Sequence, residues 1–353
     1  MRPENKKKNK TKRKRRHHHR RKTYDKHDID KDLLSYREEV RSSDSTRLNC
    51  HPRFRKQKNT TTTCFDDNVI HEMIRQYNAK HVGKNSIIDS MNPNILGKKM
   101  RDEGCIKEDC WVDKLIDDRR KGDKMKKDYL APFYEDKWND KDNAWLSNFD
   151  INAVMKQYEE IDHTFEFDPC TTIDFRKKLS DGNCVSNELC NFSLKEKIQR
   201  GKKKIATVIN TTKHDKEGEH WFSIFINIED KFLFFFDSSP PSRIPKQVKE
   251  FFDLIQKQGL ELLPPIKFEI KSNVGNEHQM TSSECGMYSI FFIKTLLTNS
   301  SILHGGKQVT PDEILKMFLK EHIRDEIVKD LRLIDFNPKN KFFLKKSKML
   351  MKK

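Results

Sequence analysis

Two nearly all-apolar runs follow one another in the second half of this 353-residue chain. Residues 221–228 (WFSIFINI) and 232–236 (FLFFF) flank a polar tripeptide, Glu-Asp-Lys. Short runs rich in aromatic and β-branched residues, joined by a few polar residues, are typical of two paired antiparallel strands. Because both runs are apolar on successive residues, both faces of the hairpin are expected to be covered. The chain must therefore place layers of structure on each side of a central hairpin.

The segments around this hairpin have helical and strand patterns. Apolar residues at 151, 154, 155 and 158 have the spacing of an amphipathic helix, with Ser147, Asn148 and Asp150 as candidate N-caps. Further strands are predicted at 205–209 and 266–270, and further helices at 248–255, 285–297 and 310–327. The predicted fold class is α+β, a small central β-sheet flanked by helices.

Charge divides the chain into four regions. Residues 1–63 carry 22 Lys and Arg against eight Asp and Glu, and residues 338–353 carry seven Lys and no acid. These segments are predicted to be a disordered basic N-terminal tail and a basic C-terminal tail. We expect residues 64–140 to be a mostly helical accessory region and 141–337 to be the main domain. The two tails together carry a net charge of +21 against a formal +17 for the whole chain, so the rest of the chain carries about −4, which argues against a uniformly basic nucleic-acid-binding domain.

The basic tails leave several interpretations open. They favour contact with nucleic acid or a nucleoprotein, because phosphates attract clustered Lys and Arg, but nuclear import or a purely solvated tail fits equally well. No apolar run approaches the ~18–20 residues of a membrane span, and the charged N-terminus lacks the apolar core of a signal peptide. No membrane contact is expected.

The chain has eight cysteines and no Cys-x-x-Cys pair. Without a secretory signal, the default expectation is a reducing compartment and free thiols. A zinc module remains an alternative, but the spacings between Cys105 and Cys110 and between Cys184 and Cys190 are longer than usual for a structural site.

One cysteine lies at a position that favours a nucleophilic thiolate. Cys285 stands where a polar loop becomes an apolar helix, and a helix N-terminus stabilises a thiolate. His220 opens the first strand of the hairpin and Asp237 follows the second, so hairpin geometry brings them side by side. A carboxylate beside a histidine orients the ring and stabilises its charged form. Gln279, six residues before the cysteine, is a candidate oxyanion donor.

This order of residues resembles a known family. His220 followed by Trp221, then Asp237, Gln279 and Cys285 is similar to the ubiquitin-like-protein proteases and adenovirus-type endopeptidases. They form one clan (CE) of cysteine proteases with a papain-like fold, and the resemblance covers about residues 141–335. It implies that His220, Asp237, Gln279 and Cys285 are catalytic and that no metal or other cofactor is needed.

The resemblance extends to the start of the domain. Trp145-Leu146-Ser147-Asn148 is similar to the family's Trp-Leu-x-Asp entry to its first helix, and the segment 165–175 is similar to the one that precedes its sheet. By this likeness Trp145 and Trp221 flank a narrow substrate channel. The implied substrate is a protein with small residues, of Gly-Gly or Gly-Ala type, before the scissile bond.

Two departures refine the resemblance. Glu284 stands where the family often has Asp before the nucleophile, a change expected to alter only a packing contact. Residues 64–140 do not match the cellular deSUMOylating enzymes, and the chain looks more like the thiol proteases of large cytoplasmic DNA viruses. This implies processing of viral structural or core polyproteins in the virion or the infected-cell cytoplasm (the viral factory), with the nucleus as the alternative location.

Other functions stay open. One alternative is a deSUMOylating or deubiquitinating isopeptidase that acts on host conjugates, and another is a catalytically inactive module that binds ubiquitin-like tails. Four intact catalytic positions argue against the inactive module. A nucleic-acid-packaging protein is a further class, although the nearly neutral main body limits it to an accessory role.

Overall fold

The computed structural model describes residues 49–55, 63–82, 87–133, 144–301 and 307–337. The predicted C-terminal tail, 338–353, and most of the predicted N-terminal tail lie outside these ranges. Within them, no helix is both long enough and apolar enough to cross a membrane.

A mixed six-stranded sheet forms the centre of the main domain. Its path runs β1-β3-β4-β5-β6, and β2 pairs with β3. The pairs β3–β4 and β4–β5 are antiparallel, whereas β1, β2 and β6 pair in parallel with their neighbours. The strands are β1 (Phe165–Phe167), β2 (Thr171–Thr172), β3 (Lys204–Asn210), β4 (Trp221–Asn227), β5 (Phe232–Phe236) and β6 (Glu269–Ser272), and a separate pair is β7 (Ser300–Ser301) with β8 (Lys307–Gln308).

Helices cover both faces of this sheet. The helices are α1 (Pro52–Arg55), α2 (Asp67–Lys80), α3 (Pro93–Asp102), α4 (Glu108–Leu115), α5 (Arg119–Tyr129), α6 (Asn148–Ile161), α7 (Asn187–Cys190), α8 (Leu194–Gln199), α9 (Lys246–Leu260), α10 (Cys285–Thr298), α11 (Pro311–Lys320) and α12 (Asp325–Asp335). Alternate side chains of β4 and β5 enter two cores. Phe225 and Phe234 pack with α6, α10, α11 and α12, whereas Phe222 and Phe235 pack with α9.

The central hairpin, the flanking helices and the α+β class agree with the sequence prediction. Ser147 is the N-cap of α6, and its hydroxyl and the Asp150 carboxylate form a capping box. The strand predicted at 266–270 begins three residues later, as β6. The segment 165–175 does not merely precede the sheet, because β1 and β2 both pair with β3.

A third core lies in the region before residue 131. It joins α2 to α5 around buried residues that include Met73, Leu96 and Trp111. Several contacts attach it to the main domain, and they include two hydrogen bonds from buried side chains. The Gln157 side-chain amide donates to the Leu130 carbonyl (2.9 Å), and Lys107 Nζ donates to Asn337 Oδ1 (2.6 Å).

The predicted boundary of the disordered tail at residue 63 is wrong for residues 49–55. Asn49, Cys50 and His51 are buried, and Cys50 forms a bridge with Leu130. The Asn49 amide also donates to the Phe336 carbonyl (2.8 Å). This short segment is rich in polar residues, but the main domain and the helical region supply its partners.

The prediction of free thiols is wrong for six of the eight cysteines. Disulfides join Cys50 to Cys64, Cys105 to Cys110 and Cys184 to Cys190, with Cα–Cα distances of 5.3, 5.5 and 6.2 Å. Those distances lie in the range that a bridge requires. Spacing along the chain does not reveal such pairs, because tertiary packing brings the sulfur atoms together. Cys170 and Cys285 are the two free cysteines.

The last predicted helix is interrupted. The pattern at 310–327 predicted continuous helix, but α11 ends at Lys320 and α12 begins at Asp325. The intervening backbone bonds to side chains of other elements, since Ile323 donates its N–H to His278 Nδ1 (3.2 Å) and Tyr288 Oη lies 2.9 Å from the Ile323 carbonyl oxygen. Tertiary hydrogen bonds therefore outweigh the helical periodicity here.

Candidate active site

The central hairpin brings His220 and Asp237 together. His220 immediately precedes β4, and Asp237 immediately follows β5, whose last residue pairs with Ser223. His220 Nε2 lies 2.6 Å from Asp237 Oδ1. The predicted juxtaposition is therefore present in the structure, although the two residues are seventeen positions apart.

Asp237 is held from several directions. Only 2% of the residue is exposed. Its Oδ1 accepts the Ser239 N–H (2.9 Å), while its backbone N–H donates to Asn273 Oδ1 (3.0 Å) and its carbonyl accepts from Asn273 Nδ2 (2.7 Å). A carboxylate fixed in this way sets the orientation of the histidine ring before any substrate arrives.

Cys285 is the first residue of α10 and is almost fully buried. Its side chain interacts with the His220 ring by hydrogen bonding and charge. Because Nε2 of the ring faces Asp237, Nδ1 is the nitrogen that remains for the sulfur. The cysteine backbone N–H has no acceptor within the helix, since the first four N–H groups of an α-helix lack one. Both the N–H group and the helix dipole favour negative charge at this position.

The electrostatics of His220 follow from these neighbours. Burial of the ring lowers its pKa, but hydrogen bonds and charge interactions with Asp237 and Cys285 together outweigh it. The net effect raises the pKa of His220 to about 10. The ring therefore carries a proton at neutral pH, as an imidazolium between a carboxylate and a sulfur.

Gln279 lies on the loop that leads to α10. Its Oε1 accepts a hydrogen bond from the Ser238 hydroxyl (2.7 Å), and its Nε2 donates to the Thr281 carbonyl (2.5 Å). Its backbone N–H donates to the Ser238 carbonyl (2.9 Å), so the residue is tied to the segment that follows Asp237. An amide NH₂ has two hydrogens, and the bond to Thr281 uses one of them.

The two predicted substrate-channel tryptophans differ in environment. Trp221 is partly buried and donates its indole N–H to the Leu146 carbonyl (2.9 Å), whereas Trp145 is 43% exposed. The next residue, Leu146, packs against the start of α10. A Cβ at Gly286 would lie 2.9 Å from Leu146 Cβ, so glycine after the cysteine permits this close approach.

Sequence reasoning missed two acidic contacts around the cysteine. Glu284 does more than alter packing, because its carboxylate pairs with Arg332 Nε at 3.1 Å and both side chains are buried. Asp325 accepts backbone hydrogen bonds from the loop that carries Gln279. The burial of the Glu284 carboxylate could not be predicted from the sequence, because its partner Arg332 lies 48 residues away.

Other nucleophiles and metal ligands are separate from this site. Burial raises the pKa of the Cys170 thiol well above its usual range. Within the described ranges, one group of three side chains has ligand atoms close enough to share a metal ion, namely Cys50, Cys64 and Glu108. Those two cysteines form a disulfide, which removes the thiolates that zinc binds.

The sheet and the flanking helices form a papain-like α+β fold, and Cys285, His220 and Asp237 lie together at one site in it. Residues 164–327 match the model of the Ulp1 protease family, C-terminal catalytic domain. This match to residues 164–327 agrees with the sequence resemblance to the ubiquitin-like-protein proteases.

Similar proteins occur in large DNA viruses. A protein of Acanthamoeba polyphaga mimivirus that is named as a thiol protease is 26% identical over 280 residues, which are 70% of this chain and 84% of that protein. A SUMO-1 cysteine protease of African swine fever virus is 26% identical over 180 residues, 48% of this chain and 65% of that protein. The crystal structure of an African swine fever virus protease has the same fold, with a TM-score of 0.54, 17% identity, and coverage of 82% of this chain and 96% of that chain.

Proposed function

We propose that this protein hydrolyses peptide bonds with Cys285 as the nucleophile, His220 as the general acid and base, and Asp237 as the residue that orients His220. The observation that carries the proposal is the 2.6 Å contact between His220 Nε2 and Asp237 Oδ1, with Cys285 at a helix start on the other side of the ring. A charged ring beside the sulfur favours the thiolate, which is the reactive form of cysteine.

The reaction follows from this arrangement. The Cys285 thiolate attacks the carbonyl carbon before the scissile bond, and the carbonyl oxygen gains negative charge. The Cys285 backbone N–H and the second hydrogen of the Gln279 amide stabilise that oxyanion. His220 then protonates the leaving amine, and a water molecule that loses its proton to His220 hydrolyses the thioester.

The proposed substrate is a protein with small residues, of Gly-Gly or Gly-Ala type, before the cleaved bond. Trp221 supports this proposal, since its indole is held against the backbone of Leu146 beside the nucleophile helix. The partly exposed Trp145 is the second proposed wall of the channel. A channel between these two indoles would admit small side chains and exclude larger ones.

The biological role we propose is processing of viral structural or core polyproteins in the virion or the cytoplasmic viral factory. The similarity to mimivirus and African swine fever virus proteins supports this setting. The basic tails would add contact with nucleic acid or nucleoprotein. A second candidate is isopeptidase activity on ubiquitin-like conjugates, which the name SUMO-1 cysteine protease of the swine fever virus relative favours.

Mass spectrometry of newly formed termini separates these candidates. The purified protein is incubated with candidate virion polyproteins and, separately, with SUMO and ubiquitin conjugates, using Cys285→Ala as the control. New C-termini ending in Gly-Gly or Gly-Ala within a linear polyprotein support the proposed role. Release of intact ubiquitin-like proteins from lysine side chains alone supports the isopeptidase, and cleavage that persists in the control contradicts both.

A further inference from the structure

The loop between Gln279 and the nucleophile helix is bonded to the start of α12. The carboxylate oxygen Asp325 Oδ2 accepts the backbone N–H groups of Met280 (2.9 Å) and Thr281 (2.8 Å). Its other oxygen, Oδ1, lies 2.8 Å from Tyr288 Oη. One side chain thus joins the loop that follows Gln279 to a residue on the first turn of the nucleophile helix.

Asp325 can make these hydrogen bonds because it is the first residue of α12. A continuous helix through 321–324 would carry Asp325 in the interior of a helix, but α11 ends at Lys320 and Asp325 is the first residue of α12. The same loop is anchored once more beside it. His278 is fully buried, with Nε2 3.1 Å from the Phe318 carbonyl oxygen and Nδ1 accepting the Ile323 N–H.

We infer that Asp325 is a positioning residue for the oxyanion site: it holds the 279–281 loop so that the Gln279 amide and the start of α10 keep a fixed separation. The inference rests on the proposed function and extends it to a residue outside the catalytic set. Asp325 is argued to act through the loop backbone, without touching the substrate itself.

The geometry explains why this contact matters to the reaction. Gln279 Nε2 already donates to the Thr281 carbonyl, and the N–H of the same Thr281 is fixed by Asp325. A shift of Thr281 therefore moves the acceptor that orients the Gln279 amide. A misplacement of about 1 Å at reacting groups can lower the rate about 100-fold.

The test compares two reactions of the same cysteine in the full-length protein. Hydrolysis of a Gly-Gly-containing peptide forms an oxyanion, whereas alkylation of the thiolate by iodoacetamide forms none. For Asp325→Ala we expect kcat to fall about 100-fold, with KM and the Cys285 alkylation rate each changed less than about twofold, because the His220–Cys285 pair is untouched. Asp325→Asn should restore most of the turnover, since its side-chain oxygen accepts the same N–H groups.

The matched control is Asp312→Ala, which removes an exposed acid from the first turn of the neighbouring helix α11 and should leave both reactions unchanged. If Asp325→Ala lowers the urea midpoint, Asp325→Glu keeps the charge and displaces the acceptor by one methylene. Asp325→Glu is then expected to lower kcat while leaving the rate of Cys285 alkylation nearly unchanged.

Three results would overturn the inference. They are unchanged kcat in Asp325→Ala, equal losses of hydrolysis and alkylation, and no recovery in Asp325→Asn. Failure of the proposed function looks different, because wild-type turnover would then be absent or would survive Cys285→Ala.

Discussion

Arg332 and Glu284 form a buried ion pair, and Glu284 is the residue immediately before Cys285. Arg332 Nε lies 3.1 Å from Glu284 Oε2, and Arg332 Nη2 donates to the Ser283 carbonyl (3.2 Å). Burying two charges is costly, and the cost is offset only when each retains its partner. The pair therefore joins the last helix to the residue that precedes Cys285, and it makes the start of α10 dependent on α12.

Removing one partner of this ion pair should destabilise the fold, because the other charge stays buried. Arg332→Met leaves the Glu284 carboxylate buried without its cation, and we expect the free energy of unfolding to fall by about 3 kcal/mol. The double variant Glu284→Gln with Arg332→Met should recover a large part of this loss. Urea denaturation of the four proteins in the cycle measures the coupling, and additive effects of the two substitutions would contradict a direct pair.

The two free cysteines should differ sharply in reactivity. Cys285 lies beside a charged imidazole, whereas burial holds the Cys170 thiol in its protonated form. Limited treatment with iodoacetamide at mildly acidic pH should label Cys285 first, and Cys285→Ala should abolish proteolysis while Cys170→Ala retains it. Peptide mapping gives the site of labelling, and preferential labelling of Cys170 would refute the assignment.

The pH dependence of turnover should report the Asp237–His220 contact. The pKa of His220 is raised to about 10, so the protonated ring is present at neutral pH and is lost as the pH rises through about 10. In Asp237→Asn the raising contribution of the carboxylate is removed, and the alkaline limb of the profile should move to lower pH with partial loss of kcat.

The matched variant for this profile is His220→Ala, which should lose nearly all activity because no other group can activate the thiol. The contribution of His220 to the free energy of unfolding should also decrease at alkaline pH. The contribution of a raised folded-state pKa is fully present below the unfolded value near 6.5 and decreases as the pH rises toward 10. Equal kinetic losses in the two variants, or an unmoved alkaline limb, would argue against an orienting role for Asp237.

Deletions at the N-terminus should separate a binding tail from a folded segment. Removal of residues 1–48 should leave cleavage of a short Gly-Gly-containing peptide unchanged and weaken salt-sensitive binding to DNA or RNA, because each lost phosphate contact removes a counterion-release contribution. Removal of 1–63 also deletes the buried Asn49–His51 segment and the Cys50–Cys64 disulfide.

We expect the longer deletion to lower the melting temperature, whereas the shorter one preserves it. Peptide turnover, thermal unfolding and nucleic-acid affinity across a salt series compare the three proteins. Unchanged nucleic-acid affinity after loss of residues 1–48 would show that the tail makes no such contact.

Local patterns were sufficient to predict that His220 contacts Asp237 and that Cys285 begins a helix. Two apolar runs around a short polar segment place His220 and Asp237 at one end of a hairpin, and the change from polar loop to apolar helix marks Cys285. These relationships depend on strand pairing and helix termini, which leave periodic signals in a sequence. The positions of these residues could therefore be predicted before the structure was available.

Long-range contacts could not be predicted in the same way. Arg332 and Glu284 are 48 residues apart, and no period in the sequence relates them. The three disulfides and the break before Asp325 likewise depend on how distant elements pack. The residues that support the site could therefore be identified only in the structure. The residues proposed to perform the chemistry could be identified in the sequence.

The central claim is that Cys285, activated by His220, is the nucleophile that attacks a substrate with small residues before the cleaved bond. A peptide ending in Gly-Gly and carrying a vinyl sulfone in place of the scissile bond reacts once with the nucleophile and remains attached. Mass spectrometry of the intact protein and of its peptides should show one adduct, on Cys285, with little or none in His220→Ala. An adduct on another residue, or equal modification of His220→Ala, would contradict the account.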